Sequence, residues 1–237
     1  MLVAAACVGV VAGAVLQAAT GFGFSLMAAP LLFAAIEPEP AVVALLALST
    51  EVNLLTVATE RRRPRPLREA SLRMLAWSVP GALAGVAVLR ALPAVALQIG
   101  VTLGVLGTLA ARRVRRAHVP AWLAGLTAGA LTTSTTTNGP PMLLHLLGRG
   151  AAPDEVRDTL STCFLGLAAI GAVALWVTGS PQLPDALLVG GLVPAVALAH
   201  LAGRRLFRRL AAAEHYEPVL TAVLLAAVVA GLVGALT

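Results

Sequence analysis

The stretch Thr132-Thr133-Ser134-Thr135-Thr136-Thr137-Asn138-Gly139-Pro140-Pro141 lies in the middle of an apolar run, 119–148, that holds no Asp, Glu, Lys or Arg. About 20 apolar residues suffice for a helix to cross the hydrocarbon core of a bilayer, so a run of this length would ordinarily be read as one span. The stretch forbids that reading. Asn-Gly is a turn pair, and two prolines lack the N–H that a continuing helix needs and clash with the turn before them. Proline suits the first turn of a helix, so a new helix is expected from Pro140. The run 119–148 is therefore expected to enter and leave the membrane by the same face, as a re-entrant hairpin.

Outward from this break the chain repeats the theme. The runs 2–36, 74–89, 91–111 and 159–184 are equally free of charged residues, and with 40–59, 186–203 and 218–237 they make eight apolar segments. The whole is 59% hydrophobic and 12% charged, with a mean hydropathy of +0.90. A soluble domain carries roughly a quarter charged residues, so a water-soluble globule is excluded. An all-α polytopic membrane protein is expected. A straight helix over 2–36 would be about 52 Å long, against a hydrocarbon core near 30 Å. That run is interrupted by Thr20-Gly21-Phe22-Gly23-Phe24-Ser25, with Pro30 beyond, and is read as a second hairpin.

The charges set the topology. The net charge is +6 and the pI about 11.1, which would ordinarily raise nucleic-acid binding. All 17 basic residues are arginines and nearly all stand in short connections, so they mark orientation instead. Arg-rich loops at 61–73, 112–116 and 204–209 are expected to be cytoplasmic, while the connections near 91–93 and 179–185 face the other side. Segments three and four leave this side and return to it, and segment seven must start opposite it to finish at Arg204. The chain between 119 and 184 must then cross an odd number of times although it holds two apolar segments, which the hairpin at 119–148 resolves. The loop 148–158 then lies inside with Arg149 and Arg157, leaving Arg90 as the exception. The short stretch before Cys7 has no basic region and is not read as a signal peptide.

An internal repeat agrees with this count. Ala12-Gly13-Ala14, Thr20 and Gly23 align without a gap onto Ala128-Gly129-Ala130, Thr136 and Gly139. Leu48-Ser49-Thr50 matches Leu160-Ser161-Thr162, and Val79-Pro80 matches Val193-Pro194, in the same order. The expected organisation is a first repeat over 1–111, a basic linker over 112–118 and a second, inverted repeat over 119–237, each with one broken hairpin and three transmembrane helices. Inverted repeats with broken helices are a recurrent transporter design.

A helix broken within lipid exposes backbone polar groups that cost several kcal/mol each unless protein or a wet cavity satisfies them. The positive ends of the new helices would point to mid-membrane, where they favour an anion. Thr20, Gly21, Gly23 and Ser25 at one tip, with Thr135, Thr136, Thr137, Asn138 and Gly139 at the other, are the candidate substrate-binding residues. Ser49, Asn53, Ser161 and Thr162 on neighbouring spans join them. The competing reading is that the hydroxyls bond back to their own helices. Glu51 is the one carboxylate deep within a span and is the candidate for proton coupling, against a helix-packing role. His145 and His200 read as interfacial or packing residues, Cys7 and Cys163 as buried thiols, and Trp77, Trp122 and Trp176 as interface anchors. No His, Cys, Asp or Glu cluster has metal-ligand spacing, and no cofactor is expected.

The Gly-rich break followed by Pro30-Leu31-Leu32, its recurrence as Asn138-Gly139-Pro140-Pro141-Met142-Leu143-Leu144 and the basic mid-chain loop resemble the sulfite exporter TauE/SafE family of membrane transporters. The resemblance covers essentially the whole chain. It implies transport, most naturally export, of sulfite, a sulfonate or a related organosulfur anion across the cytoplasmic membrane. The sequence departs from the usual pattern by having Gly-Phe-Gly-Phe in the first repeat and threonine and asparagine in place of glycines in the second. The expected partners are a small anion and the lipid bilayer, without nucleic acid; self-association into a homo-oligomer stays open. Two other readings are a passive anion channel and an intramembrane enzyme using Ser161, His145 or Cys163, of which the second has no motif behind it.

Overall fold

The computed structural model describes residues 2–59, 65–113, 119–179, 181–212 and 225. Among them the chain is helical throughout: α1 (Leu2–Thr20), α2 (Phe24–Ala35), α3 (Pro38–Thr59), α4 (Arg68–Ala91), α5 (Ala94–Arg113), α6 (Ala121–Ser134), α7 (Gly139–Gly148), α8 (Pro153–Val177) and α9 (Ala186–Ala212). Five of these, α1, α3, α4, α8 and the part of α9 over Ala186–Leu206, are long and apolar enough to cross a membrane. The apolar segment at 218–237, apart from Leu225, lies outside the described residues, as do residues 114–118 of the expected linker 112–118, whose first two residues end α5.

Both expected breaks occur. The first apolar run stops at Thr20 and restarts at Phe24, with Gly21 and Gly23 at φ 87° and 109°, a left-handed backbone that glycine adopts without strain. The chain then turns back on itself: a β-carbon at Gly13 would stand 2.5 Å from the Phe24 carbonyl, and one at Gly9 would stand 2.6 Å from Leu31. The second run stops at Ser134 and restarts at Gly139, one residue before the expected start. Its return is fixed at the base, where the Nδ1–H of His145 donates to the Val119 carbonyl at 2.7 Å. At 14 and 10 residues, α6 and α7 are about 21 and 15 Å long, too short for either to span the hydrocarbon core.

Glycine decides how closely the helices meet. Gly81 and Gly85 on α4 face Gly125 and Gly129 on α6, and a β-carbon at any of the four would come within 2.1–2.2 Å of a carbonyl oxygen across the seam. Backbones in contact of this kind are the small-xxx-small association of membrane helices, driven by dispersion and not by expulsion of water. Trp77 and Trp122 extend the same seam, edge to face at 6.2 Å between ring centroids. On the opposite side α9 meets α1 at Gly203, which abuts the Val15 carbonyl and Ala18. The outer surface stays apolar, with Leu72, Val177, Leu187 and Leu198 each more than two-thirds exposed, a surface suited to lipid.

The two ends of the bundle differ in charge. At one end the backbone N–H of Arg65 donates to Asp158 at 2.8 Å, Arg204 donates to the Thr59 carbonyl at 2.8 Å, and His200 pairs with Thr59. At the other, Arg90 donates to the Thr178 carbonyl and to Glu39. The starts of α4 and α8 and the ends of α3 and α9 thus share one arginine-bearing end. Arg157 departs from expectation. Read as a loop residue, it sits one turn inside α8 and is only 2% exposed.

Candidate functional site

Phe22 and Phe24 fasten the first break from both sides. Both are fully buried, but Phe22 belongs to an apolar cluster with Met142, Leu143 and Leu160, whereas Phe24 belongs to another with Ala14, Leu48 and Val52. Gly23 between them is thereby held at the centre of the molecule. The second tip lies directly against the first: a β-carbon on Gly139 would stand 3.1 Å from the Phe22 ring.

Between the tips is a small polar cavity of about 20 Å³. Gly23 and Ser25 line it from the first tip, Thr136, Thr137, Asn138 and Gly139 from the second, and Ser49 and Asn53 from α3. These are eight of the residues expected from sequence. Gln17, Leu26, Leu46, Phe164 and Ala168 complete the wall and were not expected. None of the lining side chains is charged.

Gln17 organises the first tip. Its Oε1 accepts from the backbone N–H of Phe24 at 3.2 Å, capping the new helix from seven residues upstream, and its Nε2 donates to Asn53 Oδ1 at 2.9 Å. Asn53 in turn donates to the Ser49 carbonyl at 2.7 Å. The signal that could have found Gln17 is its amide inside an otherwise apolar run, a group that membrane helices keep only with a partner.

The second tip carries strain. Thr136 is the one non-glycine residue with positive φ, at 59°, among the described residues. For a β-branched residue this is a costly conformation, of a kind that clusters at ligand sites. It is steadied by the Thr136 hydroxyl donating to the Thr135 carbonyl and by a 2.7 Å bond between the Thr135 and Thr137 hydroxyls. Asn138 reaches back to Thr132 at 2.8 Å, and Thr133 donates to the Ala82 carbonyl of α4 at 2.7 Å. The prolines at the start of α7 bring no N–H groups, so donors at this tip come from Asn138, Gly139 and the hydroxyls.

The other expected site residues lie outside the lining. The Thr20 hydroxyl bonds the Leu16 and Phe22 carbonyls and closes the break; Gly21 rests on Arg157. Thr135 stands one layer behind, and Thr162 bonds its own helix at the Asp158 carbonyl. Ser161 is buried one helical turn from Phe164 on the same face of α8. Glu51 is half-buried on α3, with its Oε2 enclosed and without a hydrogen-bond partner. Among the described residues, His145 bonds the Val119 carbonyl, and Cys163 sits in an apolar cluster beside the Ser71 hydroxyl.

Spanning apolar helices, two of them interrupted, enclose a small polar cavity, an arrangement that recurs among membrane transporters. The chain belongs to the sulfite exporter TauE/SafE family, whose model matches residues 5–234, nearly its full length. No curated protein and no solved structure matches it.

Proposed function

We propose that the protein is a secondary transporter that exports a small oxyanion, sulfite or a related organosulfur anion, bound between the two hairpin tips. The observation that carries this reading is the convergence of both broken helices, with α3 and α8, on one polar cavity without a charged lining residue. Hydroxyls, side-chain amides and the positive ends of α2 and α7 favour an anion there without fixing it, so it can leave again. The family supplies the substrate class.

The two halves act as inverted repeats in this reading, rocking to expose the site alternately. Support comes from a reciprocal contact pattern: α4 of the first half packs on α6 of the second, and α9 of the second packs on α1 of the first. Each half's second full span thus braces the other half's hairpin. The arginine-bearing end is the cytoplasmic one, on the positive-inside rule. No nucleotide-binding motif is present in the sequence, so the driving force is an ion gradient or the substrate's own.

The test is sulfite flux into vesicles containing the purified protein. Thr136→Ala and Asn138→Ala are expected to abolish saturable flux while the folded protein is retained; parental flux in both variants removes the proposed site. Flux that fails to saturate and ignores imposed gradients would instead assign the protein to channels.

A further inference from the structure

On the crossing count Arg90 is the one arginine away from the arginine-bearing end, and three acceptors meet it there. From the last turn of α4 its Nη1 donates to the Thr178 carbonyl at 2.8 Å. Its Nη2 donates to Glu39 Oε1 at 3.1 Å and to the Gly179 carbonyl at 3.3 Å. Thr178 and Gly179 close α8, and Glu39 lies in the first turn of α3. Each charge thus faces the helix end that favours it, the cation at the last carbonyls of α8 and the carboxylate at the start of α3. Among the described residues no other hydrogen bond joins the first half to the second at this end. At the arginine-bearing end Arg65, Leu67, Arg204 and His200 each make one.

Toward mid-membrane from this cluster, α3 and α8 leave between them an apolar gap of about 430 Å³. Val43 and Ala47 line it from α3, Leu165 and Ala172 from α8, and Leu183 from the connection that Arg90 holds. Membrane helices associate through close van der Waals contact, and a gap supplies none. The outer stretch of the α3–α8 interface is therefore held by the bonds of Arg90 more than by packing. Two further residues of the gap, Leu46 and Ala168, also line the polar cavity, and both are buried. They form the wall between the two spaces. Ala168 lies ten residues before Thr178 on α8, so the wall stands about 15 Å along that helix from the guanidinium.

Resting on the reading of the protein as a carrier whose halves rock, we propose that Arg90 is the latch of the gate at its end of the bundle. Bound at once to Glu39 and to the end of α8, it holds α3 to α8 across a gap that packing leaves open. When those bonds break, α3 and α8 part at this end, the wall at Leu46 and Ala168 opens, and the polar cavity meets the solution beyond Arg90. The side chains of Arg90 and Glu39 are 33% and 15% exposed, so water can take over each bond as it is lost. The contacts at the arginine-bearing end stay made and act as the pivot.

The test uses the full chain with Cys7→Ala and Cys163→Ala, reconstituted in vesicles. With Ala168→Cys added, an impermeant methanethiosulfonate is applied from the Gln182 side. Arg90→Gln is expected to speed its reaction about tenfold, the least by which losing a hydrogen bond to a charged group shifts a two-state equilibrium. Reaction from the opposite side is not expected to rise. In a second variant Glu39→Cys and Thr178→Cys are joined by a short bis-methanethiosulfonate. The linked protein is expected to lose sulfite flux and to regain it on reduction, whereas a brace with no part in transport would carry the link without effect. An unchanged reaction rate in Arg90→Gln overturns the latch, as does linked flux equal to that of the unlinked pair. If Arg90→Gln does not fold, the linked pair, which keeps Arg90, decides. Absence of both sulfite flux and sulfite-dependent stabilisation in the parent sinks the anion reading of the cavity instead, and the Ala168→Cys rates, which need no substrate, still judge the latch.

Discussion

Gln17 Nε2 donates to Asn53 Oδ1 across 2.9 Å, joining the last turns of α1 to the middle of α3 at the edge of the cavity. The other end of the same amide accepts the first N–H of α2. One side chain thus holds three elements in register, and both of its partners are buried.

Replacing Gln17 therefore separates architecture from chemistry. Gln17→Leu leaves the Phe24 N–H and the Asn53 carbonyl oxygen without a partner, a loss on the order of 3 kcal/mol. The expected outcome is a melting temperature several degrees lower in detergent, with sulfite flux lost. Gln17→Glu keeps the acceptor for Phe24 but brings a carboxyl to an anion site, so it should spare more of the stability and still abolish sulfite-dependent stabilisation. A Leu variant with parental melting and parental flux would show that the amide is incidental.

The breaks themselves were legible in the sequence because their cause is local. Proline at 140 and 141, and glycine at 21 and 23, act on the chain through their own backbone, whatever surrounds them. Gln17 and Arg157 were missed for the opposite reason. An amide seven residues from the helix it caps acquires its role, and an arginine near a charged loop its burial, only once α3 and the first tip have been brought beside them. Repeat symmetry was equally double-edged. It paired Thr20 with Thr136, yet Thr20 ends a helix and turns its hydroxyl to the Leu16 and Phe22 carbonyls, whereas Thr136 takes up a left-handed backbone and faces the cavity. Equivalence in sequence does not carry over to the side chain's use.

The glycine seam makes a prediction independent of transport. At Gly81 a β-carbon would stand 2.1 Å from the Leu126 carbonyl, a backbone atom that cannot swing aside. Gly81→Ala must push α4 and α6 apart and is expected to cost about 3 kcal/mol or more, with the second hairpin displaced and flux lost. Gly190, exposed on α9, has nothing within 4 Å of the equivalent point. Gly190→Ala should be neutral or stabilising by up to about 1 kcal/mol, the gain in helix propensity. Melting curves of the two variants that coincide would refute close contact between α4 and α6.

Orientation can be read from two exposed residues at opposite ends. Asp154 opens α8 beside the arginine-bearing end, and Gln182 follows its far terminus. With Cys7 and Cys163 removed, Asp154→Cys should react with an impermeant thiol reagent only from the cytoplasmic side, and Gln182→Cys only from the opposite one. Labelling of both from the same side would mean that α8 does not cross the bilayer.

Glu51 offers the sharpest division between a coupled carrier and a passive one. It sits about midway along α3, two residues or about half a turn from Asn53 on the cavity and outside the lining, with one carboxyl oxygen enclosed and unpartnered. A carboxyl in that setting can serve helix association, or it can take up and release a proton as α3 moves. The two roles respond differently to Glu51→Gln, which keeps the shape and the hydrogen-bonding capacity and removes only the exchangeable proton. If Glu51 couples transport, the variant should still exchange labelled for unlabelled sulfite at equal pH, while uphill movement driven by a pH gradient falls to background. If it only joins helices, both activities should persist together, or both should decline together with the melting temperature. Exchange and gradient-driven flux measured on the same vesicles distinguish these outcomes, because a change in folded fraction scales both rates alike and a lost proton site removes one.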